Sequence, residues 1–336
     1  MKSSHRHILV IASSLLLMAL ALSAPALRAD ASAAIQAAQH QLNAGNYTAA
    51  VTTLQAAQAA NPSSAEVCYW LERSYYEMRD WDNAVAQGEK SVSLDPKNSL
   101  FHQWLGRSYG GKADRDRSYS DAKKVKAEFT LAVSLDPSNI AARRDLEEYC
   151  LDAPWIAGGS KDEALAQVNA IAAIDPVAGH LARAMYYRQG MKNTDQAENE
   201  MRQVLAASAK SVEPYFEAAE FFRSVNKPTD MRAAIDAAAK VNPNDPRLAY
   251  YRGAVGVFTN TDLANSERDL KSYLASTPDR SDWPAHASAR EWLGNLYEAQ
   301  GKRTDAAEQY QEALQLHPSN QQRKEVTARL KKLQKS

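Results

Sequence analysis

The feature that most constrains this chain is a set of short proline-containing turns that recur at nearly constant spacing. Seven prolines follow stretches of helical composition, at Pro62, Pro96, Pro137, Pro176, Pro243, Pro278 and Pro318. The intervals between them are 34, 41, 39, 67, 35 and 40 residues, and 67 is close to twice 34. A period of about 20 to 50 residues is typical of chains that stack one supersecondary unit many times. The sequence therefore predicts one extended array of repeats.

The residues inside each period follow a pattern as well. A leucine stands nine residues after three of the prolines, and an aromatic residue or a cysteine follows four positions later: Leu71 and Tyr75, Leu105 and Tyr109, Leu146 and Cys150. A spacing of four places both residues on one helix face. The last period carries a fuller set, namely Trp292, Leu293, Gly294, Tyr297, Gly301, Ala306, Tyr310, Ala313 and Pro318.

On these residues the chain resembles the tetratricopeptide repeat family. The resemblance implies an all-α fold, a right-handed α-solenoid of helix-turn-helix repeats, with about eight units over residues 31–318. The fifth unit, near 179–210, is degenerate. Small residues such as Gly106, Gly294, Ala84 and Ala306 should let the paired helices approach closely. Residues 319–336 are expected to form a C-terminal capping helix with Val326, Leu330 and Leu333 on its apolar face.

The first 31 residues have the order of a secretory signal. Lys2 and Arg6 precede an apolar run over 8–22, and small residues follow. This order predicts a signal peptide over 1–26, with cleavage after Ala26 or as late as Ala31. The alternative is an uncleaved anchor, but 15 residues fall short of the ~20 that a spanning helix needs. The mature chain is expected to be exported, periplasmic or secreted, without stable membrane insertion.

The balance of charged residues limits the classes of partner that the chain can bind. Lysine plus arginine equals aspartate plus glutamate, 40 against 40, so no net field favours nucleic acid.

The only two cysteines, Cys68 and Cys150, fall in first helices two repeats apart. Packed helices lie ~8–10 Å apart, which separates the cysteines by about 20 Å, whereas a disulfide needs Cα atoms within about 7 Å. We therefore expect two buried thiols outside any disulfide.

Two repeats carry insertions between their helices, near 110–124 and near 152–164. One interpretation is a pair of extended turns that Trp155 pins to the surface. The other is a second contact surface specific to this protein. The sequence leaves both open.

No pattern nominates catalytic, cofactor or metal residues. The segment from Gly106 to Lys112 has the spacing of a phosphate-binding loop, but Ala113 stands where a magnesium-binding Ser or Thr belongs. The histidines are scattered over different repeats, whereas a metal site needs ligands that converge. The sequence therefore predicts no enzyme, no cofactor and no metal.

The resemblance implies a binding surface. In the family the first helices line the concave face, which by position nominates a ligand groove at Tyr69, Arg73, Tyr76, Gln103, Arg107 and Arg144. Tyr and Arg are enriched at binding hot spots, and the guanidinium groups suit an extended segment bearing carboxylates. Glu66 and Glu148 flank the groove. The alternative is an ordinary polar face whose charges satisfy one another.

Three functions are compatible with the sequence. The first is an exported scaffold that binds a protein or peptide through its groove. The second is a structural or assembly component of an envelope complex, which stable co-purification of a stoichiometric partner would favour. The third is an enzyme or sugar-binding module that uses the insertions, which turnover by the pure protein would favour.

Overall fold

The computed structural model describes residues 31–280, 282–316 and 318–335. The predicted signal peptide, 1–26, lies outside the described residues. Within these ranges the regular structure is entirely helical, without a strand. The predicted all-α helical-repeat solenoid is therefore confirmed.

The chain divides into two units, up to Asp136 and from Pro137 onward. The first unit contains α1 (31–43), α2 (Tyr47–Ala60), α3 (Ala65–Glu77), α4 (Trp81–Leu94), α5 (Ser99–Asp116) and α6 (Tyr119–Leu135). The second contains α7 (Ile140–Asp152), α8 (Lys161–Ile174), α9 (Pro176–Met185), α10 (Thr194–Ala206), α11 (Glu213–Ser224), α12 (Pro228–Val241), α13 (Arg247–Phe258), α14 (Leu263–Ser276), α15 (His286–Ala299), α16 (Arg303–Gln315) and α17 (Asn320–Lys335). Odd-numbered helices up to α15 are the first helices of pairs, and even-numbered helices are the second.

The proline turns end one helix and allow the next to start. A proline has no N–H to continue a helix, and it disfavours helical geometry in the residue before it. Asp175 is both the C-cap of α8 and the N-cap of α9. Its carboxylate accepts the N–H groups of Val177 and Ala178 at 2.7 and 3.0 Å. Asn98 caps α5 in the same way through Leu100 and Phe101. Such caps satisfy N–H groups that have no partner inside the helix.

Small residues allow the helices of each pair to pack closely. A Cβ added at Gly106 of α5 would come within 2.5 Å of the Phe129 ring on α6. Gly294 of α15 meets the ring of Tyr310 on α16 in the same manner. Ala84 is fully buried between its neighbours. The predicted role of small residues is confirmed at these positions.

Each unit has continuous packing between consecutive helices. In the first unit, Ile35, Leu54 and Leu71 belong to one apolar cluster that joins its first two pairs. In the second unit a larger cluster extends from Leu181 to Val326. Val326 of α17 is fully buried, and Leu330 and Leu333 pack against the same cluster. The last helix therefore covers the apolar side of α16.

The insertions differ from the extended turns that the sequence suggested. Near 110–124 the added residues lengthen α5 and α6 to 18 and 17 residues, so the turn between them is only Arg117 and Ser118. The second insertion is a turn that contains a short 3₁₀ segment, Trp155–Ala157. Trp155 does not pin it, because 84% of this residue is exposed. The hydroxyl of Tyr149 holds the turn instead, by donating to the Ala157 carbonyl at 2.7 Å.

Both cysteines are buried and neither forms a disulfide, as the sequence predicts. Cys68 belongs to the first unit and Cys150 to the second. Burial raises the pKa of the Cys68 thiol. A raised pKa lowers the thiolate fraction and with it the reactivity of the sulfur.

Candidate functional site

In the first unit, α3 and α5 carry a cluster of guanidinium groups and aromatic rings. Tyr69, Arg73 and Tyr76 follow one another at intervals of four and three, so they share one face of α3. The guanidinium carbon of Arg73 lies 3.6 Å from the centroid of the Trp104 ring and 5.6 Å from that of Trp70. These distances are those of cation–π contacts. One Nη of Arg73 also donates to the Tyr69 hydroxyl at 3.1 Å.

Tyr69 and Gln103 lie deeper than a ligand-contacting role requires. Only 4% of Tyr69 and 2% of Gln103 is exposed. The Tyr69 ring stacks on Phe101 of α5 with centroids 5.1 Å apart. Burial also raises the pKa of the Tyr69 hydroxyl. These two residues belong to the packed support of the surface.

Arg73, Tyr76 and Arg107 are half-buried and border the surface itself. The guanidinium carbon of Arg107 lies 4.6 Å from the Trp104 centroid, so two cations share one indole. Tyr76 meets the same indole edge-on at 5.3 Å. The rings therefore hold both guanidinium groups in fixed positions before any ligand arrives.

The local electrostatics favour an anion. Arg73 makes no ion pair with any residue that the structure describes. Its neighbour Glu72 points into the core, where one carboxylate oxygen accepts the Ser108 hydroxyl at 2.8 Å. Burial raises the pKa of Glu72 well above its ordinary value. This carboxyl is thereby less able to neutralise Arg73.

The structure assigns Arg144 to a different cluster. It lies on α7 of the second unit, where its two terminal nitrogens donate to both carboxylate oxygens of Glu217 on α11, each at 2.7 Å. Bidentate pairs of this kind are strong and directional. Of the six predicted groove residues, five lie on α3 and α5, and Arg144 is engaged within its own unit.

The second unit contains a cleft of about 730 Å³ that the sequence did not indicate. It is bordered by the first helices α9, α11, α13 and α15 and by residues 282–284. Glu213, Glu217 and Glu220 follow one another on α11 at intervals of four and three, the spacing that singled out Tyr69, Arg73 and Tyr76 on α3. The same spacing therefore marks this face of α11 in the sequence.

The described part of the chain offers neither a cluster of metal ligands nor a membrane-spanning helix. Across residues 31–280, 282–316 and 318–335, no three His, Cys, Asp or Glu side chains converge on a position for a metal ion. Over the same residues, no helix combines the length and the apolar character that a membrane span requires.

Comparison with known proteins supports the tetratricopeptide repeat family. Tetratricopeptide-repeat models match residues 35–99 and 287–320. No curated protein matches the chain. Among solved structures, a tetratricopeptide repeat protein from Parabacteroides merdae is 17% identical, with 80% of this chain and 98% of that chain covered and a TM-score of 0.47. The APC/C hetero-tetramer Cut9–Hcn1 is 12% identical, with 88% and 54% covered and a TM-score of 0.49. Likeness at this level carries no argument about partners.

Proposed function

We propose that this protein is an exported scaffold that binds a protein or peptide partner on the first-helix surface of its first unit. Proteins with tetratricopeptide repeats generally mediate protein–protein interactions, and the fold is typically a non-catalytic scaffold. The single observation that carries the proposed site is the pair of guanidinium groups, Arg73 and Arg107, held on the Trp104 ring.

The ligand chemistry follows from this pair. The guanidinium group of Arg73 rests on the Trp104 ring and makes no ion pair with any residue that the structure describes, so it can donate to an anion of the partner. Arg107 on the same indole adds a second positive charge to this surface, which favours a carboxylate there. The half-buried rings of Tyr76 and Trp70 add apolar contact area. We infer that the partner presents a carboxylate in an extended segment, next to an apolar side chain.

The predicted residues take different roles in this proposal. Arg73, Tyr76 and Arg107 contact the partner. Tyr69 and Gln103 position them from the core. Arg144 holds α7 to α11 in the second unit through Glu217 and is not a groove residue here.

Export belongs to the proposal because of the signal-like order of residues 2–31. Its test is the N-terminus of the mature protein, measured by mass spectrometry after fractionation. Cleavage after Ala26 or Ala31 is expected. Full-length protein with an intact N-terminus in the cytoplasm would refute export while leaving the binding surface untouched.

The binding proposal is tested by photo-crosslinking in cells. A benzophenone amino acid at Tyr76 should trap the partner, whereas the same group at Ala86, an exposed position on α4, should not. Mass spectrometry identifies the trapped protein. Arg73→Gln and Arg107→Gln should each reduce the Tyr76 adduct strongly, because a charge-assisted hydrogen bond is worth about 1.5–3 kcal/mol.

Two outcomes would contradict the proposed site. Equal trapping at Tyr76 and Ala86 would mean that the contact is not specific to this surface. Undiminished trapping in both arginine variants would remove the guanidinium pair from recognition. Stable, stoichiometric co-purification of the trapped partner would favour the assembly role over reversible binding.

A further inference from the structure

We propose that the turn between α7 and α8 is a docking element, with Trp155 and Ile156 entering an apolar socket with a basic rim on a protein partner. This surface goes beyond the proposed function, because it lies in the second unit, on the connection between two paired helices rather than on a first-helix surface. Its evidence is the exposure of two large apolar side chains, the hydrogen bonds that fix the turn and the charges at its base.

Trp155 and Ile156 are the large apolar side chains that this turn presents to solvent. Trp155 is 84% exposed and Ile156 is 57% exposed, and among the described residues no other large hydrophobic residue is as exposed as Trp155. A tryptophan is usually well buried, because its ring carries a large apolar area. The indole of Trp155 makes no aromatic or cation–π contact with any residue in the described ranges. Its position therefore does not support a role in packing, and it favours a contact surface at this insertion.

Backbone hydrogen bonds within the insertion fix the turn. The N–H groups of Ala157 and Gly159 both donate to the Pro154 carbonyl, at 2.9 and 3.1 Å. The Ser160 N–H donates to the Cys150 carbonyl at 2.9 Å and closes the base of the turn. The turn therefore holds its shape through its own contacts and needs none from the exposed rings.

Two glycines and one buried alanine complete this fixed geometry. Gly158 has a φ of +99°, in the left-handed region that favours glycine. A Cβ added at Gly159 would lie 1.8 Å from the Ala153 carbonyl oxygen. Ala157 is only 3% exposed, and its carbonyl accepts the Tyr149 hydroxyl. A partner therefore does not have to order this backbone, and a preorganised element loses less conformational entropy on binding.

The base of the turn carries acidic charge. Residues 152–163 include three carboxylates, Asp152, Asp162 and Glu163, against the single ammonium group of Lys161. Asp152 is the last residue of α7, Asp162 lies in the first turn of α8, and both are exposed. Because the base is closed by a hydrogen bond, these two carboxylates flank the projecting side chains. A partner that covers the turn meets them at the edge of the contact.

These charges decide between the possible occupants of the turn. An anionic lipid surface would repel the carboxylates. A second copy of the chain would place the same carboxylates opposite each other across a two-fold contact, and like charges at close range repel. A protein with lysine or arginine around an apolar socket attracts the carboxylates and buries both apolar side chains. We therefore assign the turn to a partner of this kind.

The two kinds of residue should contribute differently to binding. Tryptophan is enriched among the few interface residues that carry most of the binding free energy, so Trp155 is the expected anchor. Charges at the rim act mainly on the rate of association and on its salt dependence. We expect Asp152 and Asp162 to have this second role.

The test begins with photo-crosslinking of the full-length protein in the cells that produce it. A benzophenone amino acid at Ile156, with Trp155 retained, should form an adduct with one protein. The same group at Asn169, an exposed position on α8, should not form it. Peptide mapping of the adduct locates the attached residue of the partner. In the structure of the partner, this residue should lie in an apolar pocket with lysine or arginine side chains at its rim.

Binding of the purified partner then separates the two roles. Trp155→Ser should weaken binding at least about thirtyfold. The double variant Asp152→Asn and Asp162→Asn should weaken binding severalfold at low salt and little at high salt. Asp236→Asn removes an exposed carboxylate on α12 and is the matched control, which should bind as the wild type does.

The surface of the first unit provides a further control. Arg73→Gln should leave binding through the turn unchanged, and Trp155→Ser should leave the adduct at Tyr76 unchanged. Failure of either site is therefore distinguishable from failure of the other.

Several results would overturn the proposal. They are the absence of an adduct at Ile156, an adduct with lipid or with a second copy of the chain, and attachment outside an apolar pocket with a basic rim. Unchanged binding by Trp155→Ser would remove the anchor. Unchanged binding by the double asparagine variant at low salt would remove the basic rim and with it the proposed partner chemistry.

Discussion

Burial of Glu147 makes the stability of the second unit depend on pH in an unusual direction. Glu147 lies on α7 with 0% of its surface exposed, and neither carboxylate oxygen has a hydrogen-bond partner among the described residues. Burial is the main cause that raises its pKa to about 8, against the opposing effect of Arg144 and with smaller contributions from the carboxylates of Glu148 and Glu217. Arg144 compensates only in part, because its terminal nitrogens are engaged with Glu217.

The direction of this pH dependence follows from the number of protons that the folded and unfolded states bind. Between pH 4.5 and about 8 the folded state keeps a proton on Glu147 that the unfolded state releases. Stability from this group is therefore complete below pH 4.5 and is lost as the pH rises towards 8. Each unit of pH in this interval corresponds to about 1.4 kcal/mol. The expected loss in free energy of unfolding between pH 5 and pH 8 is about 3–4 kcal/mol, as an upper limit.

Glu147→Gln isolates this effect. The amide cannot ionise and has nearly the same shape, so the variant should match the wild type near pH 5. At pH 8 it should be more stable by most of the 3–4 kcal/mol. The measurement is urea unfolding followed by far-UV circular dichroism at both pH values. Repeat arrays do not always unfold in one step. If several unfolding transitions are seen, the wild type and the variant are compared at the transition whose midpoint Glu147→Gln shifts.

Glu308→Gln is the matched control. Glu308 is an exposed carboxylate on α16, and its replacement should change stability equally at both pH values. Glu72 remains in all variants, so its own contribution cancels in the comparison. The reasoning is refuted if the difference between Glu147→Gln and the wild type is the same at pH 5 and pH 8.

The fold was predictable because its determinants are local. The proline turns near Pro96 and Pro176 end helices whatever surrounds them, and Asn98 and Asp175 cap the helices that follow. Gly106 lies opposite the ring of Phe129, and Gly294 lies opposite the ring of Tyr310 in the last repeat. A pattern that repeats along the chain reports on the unit and on its contact with the next unit at once.

The depth of each side chain in the candidate site was not predictable. The spacing of Tyr69, Arg73 and Tyr76 correctly places them on one face of α3. Whether a residue on that face is covered depends on the neighbouring helix, and Phe101 of α5 covers Tyr69. Periodicity along one helix carries no information about the length of a side chain on the next.

In the second unit, non-local pairings and irregular turns also limit what the sequence can predict. Arg144 and Glu217 are 73 residues apart, and no local pattern joins them. Residues Tyr186–Gly190 at the end of α9 form a π-helical turn, which a period of 3.6 residues does not distinguish from a regular helix. The cleft therefore became visible only with the fold.

The remaining predictions concern single side chains. Trp155→Ser should leave the melting temperature unchanged, since the exposed Trp155 ring loses little packing; a clear decrease would restore its pinning role. Non-reducing thiol titration of denatured protein should find both Cys68 and Cys150, and one thiol or none would contradict the packing. Tyr69→Ala should cost about 3 kcal/mol of stability, as removal of a buried aromatic ring usually does. Tyr69→Phe keeps the stacking on Phe101 and removes only the hydroxyl that accepts from Arg73. It should therefore fold normally and weaken partner binding by severalfold, because Arg73 loses the bond that orients it; unchanged binding, with the Arg73→Gln loss intact, would show that the aromatic rings alone position the guanidinium group.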